Sequence, residues 1–154
     1  MKLIFATHNQ NKLSEIKSQL PNNIEILSLR DLSFNQEIPE PYHTLEENAA
    51  IKANTIFNSF KEACFSDDTG LFVPALNGLP GVQSARYSGP TATSESNMDK
   101  LLKALENSTD RKAYFQTTIA LKTAAEIKYF TGKVNGTIAL GKNGNGGFGY
   151  DPIF

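Results

Sequence analysis

The chain has 154 residues, of which 40% are hydrophobic and 20% charged, and its formal net charge is −1. This length and composition predict one folded domain with a substantial core and exclude a disordered tail. No apolar run reaches the ~20 residues of a membrane span, and a protein that neutralises a nucleic-acid backbone would be more basic. The sequence therefore predicts neither a membrane nor a nucleic acid as a partner.

The chain begins with a short apolar run, residues 2 to 6, and polar residues 7 to 12 follow at once. A signal peptide would need a longer apolar stretch and a small-residue cleavage site. The run is therefore interpreted as a buried strand of a cytoplasmic protein. A helical pattern of Leu13, Ile16 and Leu20 comes next and ends at Pro21.

The order of strand, polar loop and helix predicts a binding site for an anion. Backbone N–H groups of the loop and the positive end of the helix dipole would point to one place. Thr7 and Asn9 can add hydrogen bonds and Lys12 a full positive charge, so a phosphate would fit. The simpler alternative is that Asn9 or Asn11 only caps the helix, which leaves Lys12 alone unexplained.

A second strand is predicted over residues 24 to 29, and a long helix begins at Thr44. Thr44 and Glu47 have the spacing of a capping box, while Asn48 and Lys52 share another face of the helix. Glu47 has two competing roles, helix cap or metal ligand, and the local pattern favours the cap. The predicted core-facing stripe contains Ala49, Ala53, Ile56, Phe57, Phe60 and Ala63.

Two adjacent carboxylates, Asp67 and Asp68, follow a short strand, residues 64 to 66, and precede another, residues 71 to 73. Their repulsion calls for compensation, and Mg²⁺ is bound by few carboxylates together with water and phosphate oxygens. A solvated turn that ends a strand is the alternative, and the residues alone leave both open. Cys64 is the only cysteine, which excludes an internal disulfide and a cysteine-based zinc site.

The middle of the chain reads as a turn over residues 77 to 81, then an aperiodic segment, then a helix. In the aperiodic segment, Arg86 could bind a phosphate or a carboxylate bidentately, or form a structural ion pair, and the sequence leaves this open. The helix is predicted from an apolar stripe and capped near Thr93 or Ser94. The stripe consists of Met98, Leu101, Leu102 and Leu105.

The last third predicts a hairpin of strands 114 to 122 and 127 to 130, with a further strand over residues 133 to 140. A glycine-rich loop, residues 141 to 147, follows, but it does not join a strand to a helix and so is no P-loop. After it, Phe148 could stack on a planar ligand and Asp151 could accept a hydrogen bond. A core position is the simpler interpretation of Phe148.

Several segments together resemble the inosine triphosphate pyrophosphatase family, in the same order and spacing along the chain. They are residues 7–12, 47–49 with Lys52, 66–70, 80–81, 84–89 and 146–152. The resemblance implies an α/β fold: a single domain with a long, mixed, twisted β-sheet flanked by helices, and two lobes with a central cleft. It also implies a homodimer that hydrolyses inosine, deoxyinosine and xanthosine triphosphates to the monophosphate and pyrophosphate with Mg²⁺.

The resemblance also implies roles for individual residues. By this resemblance, Asp68 would be the general base that activates water. Phosphates and base would be contacted by Thr7, Asn9, Lys12, Lys52, Thr69, Phe148, Gly149, Tyr150 and Asp151, and the metal by Glu47, Asp67 and Asp68. Among these, Phe148 would stack on the base and Asp151 would shape its pocket.

The family continues beyond the Asp-Pro segment with a further strand region, a Ser-His-Arg motif that reads the base and a closing helix. None of these follows Phe154 in this sequence, so the single predicted domain is incomplete at its C-terminus relative to the family. A protein that ends here is expected to have weak activity and poor base selectivity. The alternatives are a related pyrophosphatase for pyrimidine or modified nucleotides, and a nucleotide-binding module without turnover.

Overall fold

In a computed structural model, residues 1–21 and 23–154 are described, and they form six strands and three α-helices. The strands are β1 (Lys2–Phe5), β2 (Glu25–Ser28), β3 (Cys64–Phe72), β4 (Pro80–Gly81), β5 (Lys112–Lys122) and β6 (Ile127–Thr137). The helices are α1 (Gln10–Gln19), α2 (Leu45–Phe60) and α3 (Ser94–Ala104). Within the described part of the chain, no helix is long and apolar enough to cross a membrane.

The strands form one sheet in the order β2-β1-β3-β5-β6, and β4 pairs with β3 outside this path. Strand β1 runs parallel to both of its neighbours, with Lys2 opposite Glu25 of β2 and Ile4 opposite Cys64 of β3. Strand β4 is antiparallel to β3. The predicted α/β class, with a mixed sheet flanked by helices, is confirmed.

Side-chain caps fix where the helices begin. Asn9 caps α1 and Thr93 caps α3, each being one of two candidates in the sequence, and Thr93 forms a capping box with Ser96. In α2 the predicted capping box is only half formed. Thr44 accepts the N–H of Glu47 at 3.2 Å, but the Glu47 carboxylate accepts the Thr44 hydroxyl at 2.6 Å instead of the Thr44 N–H. The helix ends at Lys61 in the left-handed conformation, so Ala63 lies outside it, contrary to the prediction.

The predicted break between the strands 64–66 and 71–73 is wrong, because Asp67 and Asp68 lie inside the continuous strand β3. The same error occurs in β6, where the predicted break at Gly132 is absent and one strand runs to Thr137. A glycine weakens a strand without ending it when its neighbours stay paired. The turn predicted over residues 77 to 81 contains the two-residue strand β4, held by pairing with Leu71 and Phe72.

The chain divides into two compact units, and the first comprises residues 1–68 and 118–131. Successive residues of a strand point to opposite faces, so β1 and β3 feed two separate apolar layers. One layer packs around α1 and contains Phe5, Leu13, Ile26 and Phe65. The other packs around α2 and contains Ile4, Ala6, Leu29, Ala49, Ala53, Ile56, Cys64 and Ala120.

The second unit comprises residues 69–117 and 132–154 and has its own core against α3. The buried residues of this core are Leu71, Val73, Met98, Leu101, Leu105, Ala113, Ile138, Tyr150 and Ile153. Two of the three leucines of the predicted stripe are fully buried: Leu101 within α3 and Leu105 at the C-cap just beyond it. The helical spacing therefore identified the core-facing side of α3.

Gly70 of β3 has no room for a side chain, because a Cβ there would lie 2.6 Å from the carbonyl oxygen of Gly81. We expect Gly70→Ala to lower the free energy of unfolding by about 1–3 kcal/mol through overpacking, as measured by urea denaturation. Gly132→Ala is the matched control, since a Cβ at this strand glycine meets nothing within 4 Å. Equal stability of the two variants would contradict this expectation.

Candidate active site

The candidate site lies where the chain changes direction in the parallel part of the sheet. From β1 the chain passes through α1 to β2 on one side, and from there through α2 to β3 on the other side of β1. In open α/β sheets, ligands bind beyond the carboxyl ends of strands at such a point. Residues 7 to 12 follow β1 there, and Asp67 and Asp68 lie on β3 just beyond its pairing with β1.

The loop after β1 is organised by Asn9. Its side-chain oxygen accepts the N–H of Asn11 at 3.0 Å and of Lys12 at 3.3 Å, while its own N–H donates to Thr7 Oγ1 at 3.1 Å. Asn9 therefore caps α1, as expected from the simpler alternative to an anion-binding loop. The cap also fixes the first turn of α1, which carries the Lys12 side chain toward β3.

Lys12 and Asp67 form an ion pair with 2.5 Å between Nζ and Oδ2. The Asp67 residue is only 7% exposed, and it follows Phe65 by two positions on the face of β3 that packs around α1. A buried carboxylate needs such a partner because desolvation disfavours its charge. The sequence named both residues, and the structure brings them together.

Asp68 faces the opposite side of the sheet, toward α2. Its Oδ2 accepts a hydrogen bond from Asn48 Nδ2 at 3.2 Å. Burial is the main influence on its pKa, which lies above the usual value, raised further by Glu40 and lowered by Lys52, Asn48 and Lys12. The two adjacent aspartates therefore have separate partners, and the repulsion inferred from their adjacency is reduced by the alternation of the strand.

Strand β3 and helix α2 are joined by a row of side-chain hydrogen bonds on this face. Cys64 Sγ donates to the Ala53 carbonyl at 3.2 Å, and Ser66 Oγ donates to the Ala49 carbonyl at 2.5 Å. Asp68 is the next residue on the same face, and it meets Asn48. Alanines let the helix approach the strand closely, so α2 determines where the Asp68 carboxylate lies.

Glu40 is a member of the site that the sequence did not identify. Its carboxylate forms an ion pair with Lys52 Nζ, and its charge raises the pKa of Asp68. Two neighbouring carboxylates beside a lysine are hard oxygen donors of the kind that Mg²⁺ takes. The only local signal was an acidic residue between Pro39 and Pro41, which is too common to identify a ligand.

Glu47, predicted as a metal ligand, is exposed and engaged with Thr44 at the start of α2. In the part of the chain that the structure describes, no three His, Cys, Asp or Glu side chains are grouped so as to hold a metal ion. A metal role for Glu47 therefore stays a prediction.

The second unit holds the remaining predicted residues, and Asp151 organises one group of them. Its Oδ2 accepts the N–H of Phe148 at 2.8 Å and lies 2.1 Å from where a Cβ on Gly147 would be. Gly147 also has a positive φ of 74°, which favours glycine. Phe148 is half-buried and lies outside the core cluster, so the core position favoured for it is not what the structure shows.

Tyr150, Gly149 and Thr69 are placed differently. The Tyr150 side chain is 5% exposed in the core, and its hydroxyl donates to the Ser84 carbonyl at 2.7 Å. A substrate contact of Tyr150 would therefore have to involve its backbone. Gly149 is half-buried with a positive φ of 63°, and Thr69 Oγ1 lies 2.8 Å from Thr117 Oγ1.

Comparison with known protein families shows to which family the chain belongs. Residues 3–154 match the model of the Ham1 family. The chain belongs to the Ham1 family. The resemblance inferred from the sequence is thereby confirmed, since relatives in this family carry the name dITP/XTP pyrophosphatase.

Two such Ham1 relatives come from Flavobacterium johnsoniae and Porphyromonas gingivalis. The first is 51% identical over 154 residues, covering 100% of this chain and 80% of the relative. The second is 47% identical, covering 99% of this chain and 79% of the relative.

Two solved Ham1 structures have the same fold. The Ham1 protein of Staphylococcus aureus superposes with a TM-score of 0.88 at 40% identity, covering 100% of this chain and 80% of that one. The HAM1 protein of Coxiella burnetii gives a TM-score of 0.90 at 36% identity, covering 100% and 81%.

Proposed function

We propose that this chain hydrolyses non-standard purine nucleoside triphosphates (ITP, dITP and XTP) to the monophosphate and pyrophosphate. The observation that carries the proposal is the half-buried Asp68 carboxylate, bonded to Asn48 and within the electrostatic reach of Lys52 and Lys12. A carboxylate beside two lysines suits water activation next to a polyphosphate. The relatives named dITP/XTP pyrophosphatases support the substrate class.

The phosphates are bound by the first unit in this proposal. Phosphoryl transfer depends on positioning and electrostatic stabilisation, which cations and helix N-terminal amides provide. The Thr7–Lys12 loop offers the start of α1, and Lys12 and Lys52 offer two ammonium groups. Each lysine is neutralised by a carboxylate, Asp67 or Glu40, and would exchange part of that pairing for phosphate oxygens.

Asp68 is the general base. It accepts a proton from water while the water oxygen forms a bond to the α-phosphorus and the bond from that phosphorus to the bridging oxygen of the pyrophosphate breaks. Because burial raises the pKa of Asp68, its carboxylate accepts a proton more readily than an exposed aspartate does. The hydrogen bond from Asn48 Nδ2 holds Oδ2 of the Asp68 carboxylate in place.

Mg²⁺ is the cofactor that we propose, and the residues fit it. Asp68 and Glu40 would hold the ion, together with water and phosphate oxygens, as Mg²⁺ requires few protein carboxylates. Asp67 and Glu47 remain further predicted ligands. When bound, the ion offsets the negative charge of the phosphates.

The base would stack on Phe148. The half-buried Phe148 ring offers a stacking surface, and Asp151 fixes the backbone on which that ring is carried. Selection of a 6-keto purine over adenine should come from hydrogen bonds, since apolar contact alone discriminates by only about 10- to 200-fold.

The proposal is tested by pyrophosphate release from ITP, dITP, XTP, ATP and pyrimidine triphosphates, with Mg²⁺ and with EDTA. Preferential release from the non-standard purines that is abolished by EDTA is expected. Preference for pyrimidine triphosphates would support the related pyrophosphatase instead. Nucleotide binding without any release would support a binding module and overturn the proposal.

Phe148→Ala should weaken substrate binding while leaving the chemistry of the phosphates unchanged. Stacking of a base on an aromatic ring contributes roughly 1–3 kcal/mol, so we expect KM to rise about 5- to 150-fold. Steady-state kinetics with dITP measure this. Phe130→Ala is the control, because Phe130 is a 53% exposed aromatic side chain of β6 without a predicted role in substrate binding. An unchanged KM for Phe148→Ala would remove Phe148 from the site.

A cytoplasmic location is part of the proposal, because nucleoside triphosphates are made and used there. The predicted homodimer is likewise proposed. Strand β6, at the end of the sheet order, exposes Tyr129, Phe130 and Val134, which would suit burial against another chain. Light scattering of the purified protein would give the mass of the assembly.

A further inference from the structure

Asn48 lies in the first turn of α2, and only 2% of it is exposed. Its side-chain oxygen accepts the N–H of Tyr42 at 3.0 Å. Its side-chain nitrogen donates to the Tyr42 carbonyl at 3.2 Å and to Asp68 Oδ2 at 3.2 Å. Both N–H bonds of the amide are used, so its orientation is fixed from two sides.

The two bonds to Tyr42 fix more than one residue of the loop before α2. Pro41 has a restricted φ, so a fixed Tyr42 also restricts the preceding Glu40. The Glu40 carboxylate is in turn held by Lys52, which lies one helical turn after Asn48 on α2. The first two turns of α2 therefore hold the Glu40 segment at two points.

The hydrogen bond to Asp68 distinguishes Asn48 from a side chain that only holds the backbone of Tyr42 in place. A clamp on Tyr42 alone would need only one N–H of the amide, whereas the second N–H is directed to the carboxylate proposed as the base. An aspartate at this position would be isosteric but could not donate, and alanine would neither donate nor accept.

We propose that Asn48 is a positioning residue for the hydrolysis: it orients Asp68 and holds the Glu40 segment beside it. This inference rests on the proposed function. Its role resembles that of groups that hydrogen-bond to a metal ligand and so orient it. Removal of such a group lowers activity or metal affinity roughly 10- to 100-fold.

The test uses the whole chain with Asn48→Ala and Asn48→Leu. Leucine fills the buried space of the asparagine side chain, so Asn48→Leu can be assayed if Asn48→Ala folds poorly. We expect kcat for dITP per folded molecule to fall roughly 10- to 100-fold. KM should change less than about threefold, because Lys12 and Lys52 are untouched.

A second measurement is independent of activity. In the wild-type protein without metal or nucleotide, the Tyr42 amide should be protected from hydrogen exchange by Asn48 Oδ1. The protection should be lost in both variants. In the activity assay, the concentration of Mg²⁺ that gives half-maximal activity should rise in both variants, because the Glu40 segment then keeps its ion pair with Lys52 but loses the hold of Asn48 on Tyr42.

Asn97→Ala is the matched control. Asn97 is also buried at 4% exposure and also clamps backbone, donating to the Ser84 and Ala85 carbonyls and accepting the Ser88 N–H. It belongs to the second unit and contacts no carboxylate among these partners. We expect a similar loss of thermal stability with kcat within about twofold of the wild type.

The outcomes separate the inference from the proposed function. Wild-type hydrolysis with unchanged kcat in both Asn48 variants would overturn the positioning role and leave the function in place. A wild-type protein that binds dITP but releases no pyrophosphate would overturn the function. If the Tyr42 amide stays protected from hydrogen exchange in both Asn48 variants, Asn48 does not hold Tyr42, whether or not the protein hydrolyses dITP.

Discussion

Asp68→Asn should lower kcat for dITP by roughly 10²- to 10⁴-fold, the usual contribution of a general base. Asparagine keeps the shape and can still accept the hydrogen bond of Asn48, but it cannot take a proton from water. Because burial raises the pKa of Asp68, the fold disfavours the charged carboxylate. We therefore expect the melting temperature of the variant to be no lower than that of the wild type.

Loss of activity without loss of stability is the signature of a group that serves the reaction and not the fold. Asp31→Asn is the matched control, since the Asp31 carboxylate accepts the N–H and Oγ of Ser28, each at 2.8 Å. These bonds hold the pKa of Asp31 below its usual value, so the folded protein favours the charged carboxylate. Asp31→Asn should therefore lower the melting temperature and leave kcat within about twofold of the wild type. A folded Asp68→Asn protein with more than a tenth of the wild-type kcat would rule out the base.

Lys12→Met should reduce both activity and stability, for two different reasons. We expect kcat/KM to fall roughly 10²- to 10³-fold, as when one group that stabilises developing charge is removed. The 7% exposed Asp67 also loses its ammonium partner, which should lower the free energy of unfolding by about 3 kcal/mol. Steady-state kinetics and urea denaturation measure the two effects.

The double variant Lys12→Met with Asp67→Asn separates these causes. Removal of the Asp67 charge should restore most of the stability, because no charged carboxylate is then buried without Lys12. Activity should stay low, since the positive charge for the phosphates is still missing. If the double variant regained wild-type activity, Lys12 would only neutralise Asp67 and would have no part in substrate binding.

Mg²⁺ removal and Lys12 replacement act on the same negative charge of the substrate. The ion and the lysine both bind phosphate oxygens. The loss of activity on removing either one should therefore be larger when the other is already weakened. The hydrolysis assay with EDTA, proposed above for the wild type, can be repeated on the Lys12 variant for this reason.

The sequence by itself determined the features that depend on residues close in the chain. Helical spacing and capping residues predicted α1 and α3, with Asn9 and Thr93 each among two candidate caps, because these bonds join neighbours three residues apart or fewer. The polar loop after β1 was predicted in the same way. The combination of several short motifs in one order predicted the family, although no motif was specific alone.

Tertiary structure alone decided which partner each carboxylate has. Lys12 and Asp67 are 55 positions apart and Asn48 and Asp68 are 20 apart, so no local pattern links them. Once β3 is a continuous strand, alternation sends Asp67 toward α1 and Asp68 toward α2. The same packing of α2 on β3 brings in Glu40 through Lys52. The sequence supplied the charged groups, and the sheet, by separating its two faces, determined how they are paired.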